Sequence, residues 1–285
     1  MRVAVTGAAG QLGRALVDQL GSRAVWSGGR GELDIRDGAA VASLVARVHP
    51  DVVINAAAFN DVDGAEADPG SALAANAVGP AHLARACRER GALLVHISTD
   101  YEFDGARHEP YREEDCARPL SSYGVSKLAG SQLIAAAGGA HLIVRTSGVF
   151  GAGGSRIKGG SFVERILARA RSGQPLRVVA DQVFSPTYAP DLASALLALV
   201  DRGARGLLHV TNSGFCSWHE LAVAALEVAG IHAHVEAIRT EDLHAPARRP
   251  AYSVLSNERA HSLGLPPLRP WRDALGAFLD GLPAR

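Results

Sequence analysis

The sequence contains little cysteine and almost no lysine. Its three cysteines, Cys87, Cys116 and Cys216, are odd in number and widely spaced, which excludes both a disulfide framework and a CxxC metal site. This cysteine usage predicts a protein of the reducing cytoplasm. Of the 29 basic residues only Lys127 and Lys158 are lysines, so arginine supplies nearly all of the positive charge.

Signatures of several other protein classes are missing as well. The 29 basic and 29 acidic residues cancel, so no overall field attracts nucleic acid or an anionic membrane. No apolar run approaches the roughly 18 residues of a membrane helix, and the apolar stretch at residues 3–5 is too short for a signal peptide. The 11 histidines form no HExxH motif, and no carboxylate set has metal-ligand spacing. We therefore expect a cytoplasmic protein with no metal, nucleic-acid partner or membrane partner.

Short apolar strands alternate with amphipathic helices along the chain. Hydrophobic residues make up 47% of the sequence and charged residues 20%, as in ordinary globular proteins. Continuous apolar strands that alternate with helices indicate an α/β fold with a doubly wound, parallel Rossmann sheet covered on both faces. The predicted strands are residues 3–6, 24–27, 51–55, 93–98, 141–146, 176–179 and 207–210, and the predicted helices are residues 12–20, 41–48, 71–90, 123–137, 162–171, 192–200 and 219–229.

The pattern changes near residue 150, where the connections become longer and richer in proline. We interpret residues 1–150 as an NAD(P)-binding Rossmann domain. Residues 151–285 are interpreted mainly as a smaller, mixed substrate-binding lobe, with part of that chain returning to the Rossmann domain. The glycine-rich segment at residues 151–160, GAGGSRIKGG, is either a mobile loop over a site or a surface connector.

A glycine-rich turn, GAAGQLG at residues 7–13, connects the first predicted strand to the first helix. Gly7 permits a tight turn, Gly10 lets the backbone approach a pyrophosphate, and Gly13 allows close helix packing, while the helix N-terminus supplies amide donors. The spacing is GxxGxxG rather than GxGxxG, so a purely structural turn is the alternative. A mononucleotide P-loop is excluded because no Gly-Lys-Ser/Thr closes the motif.

Two charged residues follow the second predicted strand, where a dinucleotide fold places its adenosine ribose. Arg30 favours the 2′-phosphate of NADP, whereas an acidic residue there would favour NAD. A solvated arginine in a glycine loop is the alternative. Asp34 could meet the adenine amino group or act as a helix cap, although Asp37 resembles a cap more closely.

The strongest chemical signal is the pair Tyr123 and Lys127, which are four residues apart and therefore share one helix face. In a chain that otherwise uses arginine, a lysine here indicates a need for a compact ammonium that holds a ribose and lowers the pKa of the phenol. The alternative is an exposed surface pair.

Thr99 comes directly after a buried strand, at the edge where open α/β sheets bind ligands. Its hydroxyl can donate to a substrate carbonyl oxygen while Tyr123 delivers the proton. A simple helix cap formed by Ser-Thr-Asp is the alternative interpretation. Farther along, Arg248 and Arg249 are candidates for clamping a diphosphate, and surface charge is the alternative for them.

These motifs together resemble the extended short-chain dehydrogenase/reductases, and most closely their dTDP-4-dehydrorhamnose reductase family. The resemblance covers nearly the whole chain, including its part after residue 150. The motifs that carry it are GAAGQLG (7–13), INAAAFNDVDGAE (54–66), ANAVGPAHLA (75–84), STDYEFDG (98–105), YGVSKLAG (123–130), RTSGVFG (145–151), DQVFSPTYAPDLA (181–193) and RRPAYSVLS (248–256).

The resemblance implies roles for individual residues. Thr99, Tyr123 and Lys127 would be catalytic, and Thr99 and Asp100 would also meet the sugar, with Arg248 in the substrate lobe. The implied cofactor-binding residues are Gly7, Gly10, Gln11, Leu12, Arg30, Asp34, Ile35, Ala56, Ala57, Ala58, Tyr123 and Lys127.

The implied activity is NADPH-dependent reduction of a dTDP-linked 4-keto-6-deoxyhexose, in rhamnose or other deoxysugar biosynthesis, with NADH as a second possible cofactor. Two alternatives are open: a non-catalytic, NADP-binding subunit resembling the regulatory subunit of methionine adenosyltransferase, and a sugar-nucleotide epimerase. Some members form a magnesium-linked dimer through a glutamate in the first helix. This chain has Ala15, so we expect a monomer or another kind of homodimer.

The sequence also departs from the family's pattern. The family commonly has tryptophan and tyrosine in RTSWVYG, and that tryptophan lines the substrate pocket. Gly148 and Phe150 stand at those places here. Either the sugar differs, or another residue such as Trp218 fills the gap. Ser131 replaces a glutamate that is usual in the helix after Lys127.

Overall fold

The structure is a computed structural model that describes residues 1–153 and 160–282. Most of the glycine-rich segment at residues 151–160 therefore lies outside the described residues, as do residues 283–285 of the predicted lobe. Within the described ranges, no helix is both long enough and apolar enough to cross a membrane.

The secondary structure alternates as predicted in the first half of the chain and becomes irregular later. The strands are β1 (Val3–Thr6), β2 (Ala24–Gly28), β3 (Val52–Asn55), β4 (Leu93–Thr99), β5 (His141–Thr146), β6 (Val149–Phe150), β7 (Leu176–Val179), β8 (Val183–Phe184), β9 (Thr187–Tyr188), β10 (Gly206–His209), β11 (Cys216–Ser217) and β12 (Val235–Ile238). The helices are α1 (Gln11–Leu20), α2 (Gly38–Val48), α3 (Val62–Ala67), α4 (Pro69–Leu73), α5 (Gly79–Arg90), α6 (Ser122–Ala136), α7 (Phe162–Arg171), α8 (Ala189–Asp201), α9 (Trp218–Val228), α10 (Glu258–Ser262) and α11 (Trp271–Asp280).

Six parallel strands form the central sheet, in the order β10, β5, β4, β3, β1, β2. This arrangement confirms the predicted α/β fold with a doubly wound parallel sheet. The order reverses between β1 and β3, which are neighbours in the sheet although β2 lies between them in the chain. Ligands of open α/β sheets bind at the carboxyl edge beside such a reversal.

Apolar layers cover both faces of this sheet because alternate residues of a strand point to opposite faces. Val3 and Val5 of β1 pack in one core with α1 and α8. Ala4, between them, packs in the other core with α2 and α5. Asp37 caps α2, since its carboxylate accepts from the backbone N–H groups of Ala39 and Ala40 at 3.0 Å, as the sequence predicts.

The helix predicted over residues 71–90 is interrupted by a π-helical turn at Ala74–Val78, between α4 and α5. Asn76 in this turn is buried, and its side-chain amide bonds the backbone N–H and C=O of Phe59, both at 2.8 Å. The same amide donates to Ser126 Oγ of α6 at 3.0 Å. The π-helical turn thus places the Asn76 side chain where it bonds both the Phe59 backbone and helix α6.

The later part of the chain builds a second core of its own, which includes Phe150, Ile166, Leu221 and Phe278. Three two-stranded sheets surround it, namely β7 with β12, β8 with β11, and β6 with β9. Two later elements lie in the main layer instead, because β10 pairs with β5 and α8 packs against α1. The division of the chain at residue 150 stays a prediction.

Candidate active site

The turn between β1 and α1 lies at the carboxyl edge of the sheet, beside the end of β3. Gly7 has a φ of +70°, and a Cβ atom there would lie 2.5 Å from backbone atoms of Ala56 and Ala57. Gly10 is the N-cap of α1 and has no side chain to satisfy the first amides of that helix. A glycine turn that leads into a helix N-terminus lets the backbone approach the pyrophosphate of a dinucleotide and donate hydrogen bonds to it.

One cavity of about 290 Å³ joins this turn to the predicted catalytic residues. Its wall is built from the β1–α1 turn, the ends of β3 and β4, and helix α6. The predicted site residues that line it are Gly10, Gln11, Leu12, Ala56, Ala57, Ala58, Thr99, Asp100, Tyr123 and Lys127.

A second cavity, of about 330 Å³, lies beyond β2 and contains the residues predicted to meet the adenosine. Arg30, Asp34, Ile35 and Arg36 line it together with Ala57 and Ala58. Hydrogen bonds from Arg36 lower the pKa of Asp34 to about 2, and Arg30 Nε lies 3.6 Å from the same carboxylate. Two guanidinium groups, those of Arg30 and Arg36, thus lie around one carboxylate in this cavity. Sequence reasoning did not single out Arg36.

Helix α6 and strand β4 bring Thr99, Tyr123 and Lys127 together. The Ser121 hydroxyl caps α6 by accepting from the Gly124 N–H, so Tyr123 and Lys127 follow on its first turns. Thr99 and Tyr123 both line the cavity, and the Thr99 side chain lies near enough to the Tyr123 phenol to favour its ionised form. Lys127 is 2% exposed, and its Nζ donates to the backbone carbonyl of Ile97 in β4 at 2.6 Å.

Burial dominates the ionisation of both α6 side chains. It raises the pKa of Tyr123 well above its usual value, although the Thr99 contact acts in the opposite direction. Burial lowers the pKa of Lys127 to about 8, although the negative charge of Glu102 acts to raise it. The sequence predicts that the ammonium lowers the pKa of the phenol; the net direction in this structure is upward because burial dominates, and the ammonium donates to the Ile97 carbonyl. The phenol therefore stays protonated at neutral pH, which is the form that can donate a proton.

Asp100 is 3% exposed and connects three parts of the chain. Its Oδ2 accepts from the hydroxyls of Ser147 at 2.6 Å and Ser253 at 2.5 Å, and its Oδ1 accepts from Thr99 Oγ1 at 3.0 Å. Burial raises its pKa to about 6 despite these hydrogen bonds. The carboxylate thus orients the Thr99 hydroxyl at the wall of the cavity.

A third cavity, of about 560 Å³, shares Thr99, Asp100 and Tyr123 with the first. Its wall also contains four arginines: Arg165, Arg169, Arg177 and Arg249. The predicted substrate residue Arg248 is exposed and does not line it, so the structure places the neighbouring Arg249 there instead.

Two of these arginines differ in their partners. The Arg249 Nη2 donates to Asp63 Oδ2 at 2.7 Å. Arg165 donates to the Gly160 carbonyl at 3.2 Å, and within the described part of the chain it has no carboxylate partner. A half-buried guanidinium without a counter-charge is suited to an anionic ligand.

Comparison with known proteins identifies the family. The family model described as RmlD substrate binding domain matches residues 1–283. The chain belongs to this RmlD family. The matched residues include those that line the cavity next to the glycine turn and those that line the third cavity, with its four arginines.

Individual RmlD relatives are similar over almost their full length. The spore coat polysaccharide biosynthesis protein SpsK of Bacillus subtilis is 41% identical over 281 residues, which cover 98% of this chain and 97% of SpsK. A dTDP-4-dehydrorhamnose reductase of Mycolicibacterium smegmatis is 44% identical over 98% of this chain and 88% of its own. The crystal structure of a Bacillus anthracis dTDP-4-dehydrorhamnose reductase in complex with NADP has a TM-score of 0.94 at 35% identity, covering 99% of both chains. The resemblance seen in the sequence is thereby confirmed.

A buried ion pair in this RmlD family member escaped sequence reasoning. Glu102 is fully buried, and its carboxylate is contacted by Arg145 and accepts hydrogen bonds from the hydroxyls of Ser98 and Ser131. Ser131, for which the sequence suggested no role, therefore completes the coordination of this carboxylate. A signal was present, because Arg145 is the one charge in the apolar strand HLIVRT and a buried guanidinium needs an acidic partner.

Two of the positions where the sequence departs from the family pattern, Gly148 and Phe150, lie at the third cavity. Gly148, Phe150 and Trp218 all line it. Phe150 is 2% exposed and stacks on Tyr188, so its ring belongs mainly to the second core. Phe184 rather than Trp218 occupies the space beside Gly148, and the half-buried Trp218 stacks on Phe184 with ring centroids 4.0 Å apart.

Proposed function

We propose that this chain is an NADPH-dependent reductase of a dTDP-linked 4-keto-6-deoxyhexose, in rhamnose or other deoxysugar biosynthesis. The observation that carries the proposal is the position of Thr99, Tyr123 and Lys127 on the wall of a cavity that begins at the glycine turn. The same Thr99 and Tyr123 also line the arginine-rich cavity. The names of the Mycolicibacterium smegmatis and Bacillus anthracis relatives support the choice of substrate.

The cofactor would lie across the reversal in strand order. Arg30 and Arg36 would bind the 2′-phosphate, which favours NADPH over NADH because both guanidinium groups line the cavity beyond β2. When bound, the cofactor supplies the hydride. The residues proposed to hold it are Gly7, Gly10, Gln11, Leu12, Arg30, Asp34, Ile35, Arg36, Ala56, Ala57, Ala58, Tyr123 and Lys127.

The protein's own contribution to the chemistry is a proton and its placement. As the sugar C4 carbonyl is reduced, its oxygen becomes an alkoxide that takes the proton of the Tyr123 phenol and leaves a phenolate. The Thr99 hydroxyl, which donates to Asp100 in this structure, would turn to donate its one hydrogen to the same oxygen. Lys127 would stabilise the phenolate and bind the nicotinamide ribose, with its ammonium charged below a pH of about 8.

The substrate would occupy the arginine-lined cavity. Arg165 and Arg249 are proposed to bind the diphosphate, in place of the predicted Arg248, because both line this cavity and Arg248 does not. Guanidinium groups bind phosphate oxygens through paired N–H donors. The hexose would then extend towards Thr99 and Tyr123.

The function is tested by incubating the purified protein with NADPH and each of a panel of dTDP-4-keto-6-deoxyhexoses. Oxidation of NADPH is measured from the loss of its near-ultraviolet absorbance. Tyr123→Phe should lower turnover by at least about 100-fold, the lower range for a positioned acid. Tyr252→Phe is a matched control, because Tyr252 lines neither of the two cavities. Binding of NADPH without oxidation by any sugar of the panel would favour the non-catalytic regulatory alternative.

A further inference from the structure

Three aromatic side chains contact one another in series at the arginine-lined cavity, with Trp218 stacked on Phe184 and edge-on to Phe162. Trp218 lies between the other two, with its ring centroid 4.0 Å from that of Phe184 and 4.8 Å from that of Phe162. Phe162 and Trp218 are half-buried and line the cavity, whereas Phe184 is 3% exposed and does not line it. We refer to Phe162, Phe184 and Trp218 as the aromatic wall.

The chain holds the two lining residues of this wall with the same local device. Helices α7 and α9 each begin with a capping box, in which Ser161 pairs with Glu164 and Ser217 pairs with Glu220. In both helices the aromatic residue directly follows the capping serine. Because a capping box fixes the first turn of a helix, the backbones that carry Phe162 and Trp218 are set before any ligand binds.

Gly148 leaves the space that the aromatic wall fills. Its φ is +52°, and a Cβ atom built on it would lie 2.1 Å from Cε2 of Phe184. No side chain fits at residue 148 while Phe184 holds this place. Trp218, which packs on Phe184 from the distant start of α9, therefore contributes apolar surface to the cavity that Thr99 and Tyr123 also line.

We propose that Trp218 contacts the hexose and selects for a 6-deoxy sugar, an inference that rests on the proposed function. The guanidinium groups of the same cavity suit the diphosphate, whereas the C–H groups and the C6 methyl of a deoxyhexose are apolar and pack well on an indole. The face of the indole ring offers no hydrogen-bond partner to a C6 hydroxyl packed against it, which disfavours the ordinary hexose.

Calorimetric titration with three ligands, in the presence of NADP, separates this contact from nucleotide binding. The ligands are dTDP, dTDP-glucose and dTDP-6-deoxyglucose, of which the last two differ only at C6. Wild type should bind the 6-deoxy compound severalfold more tightly than dTDP-glucose. Trp218→Ala should weaken binding of the 6-deoxy compound about tenfold and remove the preference, while its affinity for dTDP stays the same.

Phe215→Ala is the matched control, since Phe215 is 57% exposed and lines neither cavity. Trp218→Phe keeps an aromatic ring at residue 218 and therefore disturbs the packing less than Trp218→Ala. It also allows a second measurement, of tryptophan fluorescence. The 6-deoxy compound should change the tryptophan fluorescence of wild type more than dTDP does, and this difference should vanish in Trp218→Phe, which retains Trp26 and Trp271.

An unchanged preference in Trp218→Ala, or an unchanged fluorescence difference in Trp218→Phe, would overturn the role of Trp218 alone. Equal loss of affinity for all three ligands would also overturn it, because the residue would then act on the nucleotide or the fold. Failure of wild type to bind any of the three would instead overturn the proposed function and this inference with it.

Discussion

Arg145 and Glu102 form an ion pair at the centre of the protein, with Nε and Nη2 of the arginine both 2.7 Å from one carboxylate oxygen. The two side chains are 5% and 0% exposed. The charge of Glu102 also acts on Lys127 and Tyr123, raising the pKa of each. The pair thus connects the inner strands of the sheet to the acid–base residues at its edge.

Glu102→Gln should strongly destabilise the fold, because it leaves the Arg145 charge buried without a counter-charge. Breaking a buried pair costs about 3–5 kcal/mol of unfolding free energy. Urea unfolding measures this directly. Glu236→Gln is the control, since its pair with Arg177 is exposed on both sides and should contribute less than about 1 kcal/mol. Equal losses in the two variants would contradict the importance of the buried pair.

Lys127→Arg should reduce turnover nearly as much as Lys127→Ala, although it keeps the charge. The ammonium is 2% exposed and bonds Ile97 at 2.6 Å, so the longer, planar guanidinium does not fit the same position. Steady-state turnover with NADPH and melting temperatures of both variants check this. Retention of more than about half of the wild-type turnover would remove Lys127 from the catalytic assignment, since a tenfold loss requires only about 1.4 kcal/mol.

Arg30→Ala should weaken NADPH binding about tenfold to a hundredfold while leaving NADH binding almost unchanged. A lost contact to the 2′-phosphate corresponds to about 1.5–3 kcal/mol, and NADH has no such phosphate. Fluorescence titration with the two cofactors provides the measurement. Arg23→Ala is a matched control, because Arg23 pairs with Asp201 and does not line the adenosine-side cavity. Similar losses for NADPH and NADH would show that Arg30 does not read the phosphate.

Asp100 should make stability depend on pH in an unusual direction. Its pKa in the folded protein is about 6, above its ordinary value of 3.8, so the fold binds the proton more tightly than the unfolded chain. The resulting stabilisation is complete below about pH 4 and is lost as pH rises through about 6, with a size on the order of 3 kcal/mol.

Urea unfolding of wild type and Asp100→Asn between pH 4.5 and 7.5, a range set by about those two pKa values, isolates this contribution. The difference in unfolding free energy between the two proteins should shift in favour of wild type as the pH falls. A difference that stays constant would show that Asp100 does not titrate in this range.

Gly148→Ala should cost more stability than an alanine at another glycine with positive φ. The left-handed conformation costs about 1–2 kcal/mol at either place, and the overlap with Phe184 adds about 1–3 kcal/mol of overpacking. Gly138→Ala is the control, because Gly138 has a φ of +72° and open space around it. In a Phe184→Ala background the extra cost should shrink. An equal loss of unfolding free energy in Gly148→Ala and Gly138→Ala would show that residue 148 is not crowded by Phe184.

Local patterns in the sequence determined the six strands of the central sheet, most of the longer helices and the cofactor edge of the site. Apolar runs predicted β1, β3, β4 and β5, and the glycine turn and the Tyr123–Lys127 spacing pointed to one edge of the sheet. These features are local, because the period of a strand or helix and the position of a turn depend on neighbouring residues. The motifs along the whole chain also indicated the family.

Contacts between distant segments were decided only by the tertiary structure. Packing turned Arg249 rather than Arg248 to the cavity, joined Lys127 to a backbone carbonyl of β4, and paired Glu102 with Arg145 across 43 positions of sequence. It also placed Phe184 against Gly148 and Trp218 against Phe184. Such contacts depend on how elements stack, and the free energy that selects them comes from burial and from pairing of polar groups far apart in the chain.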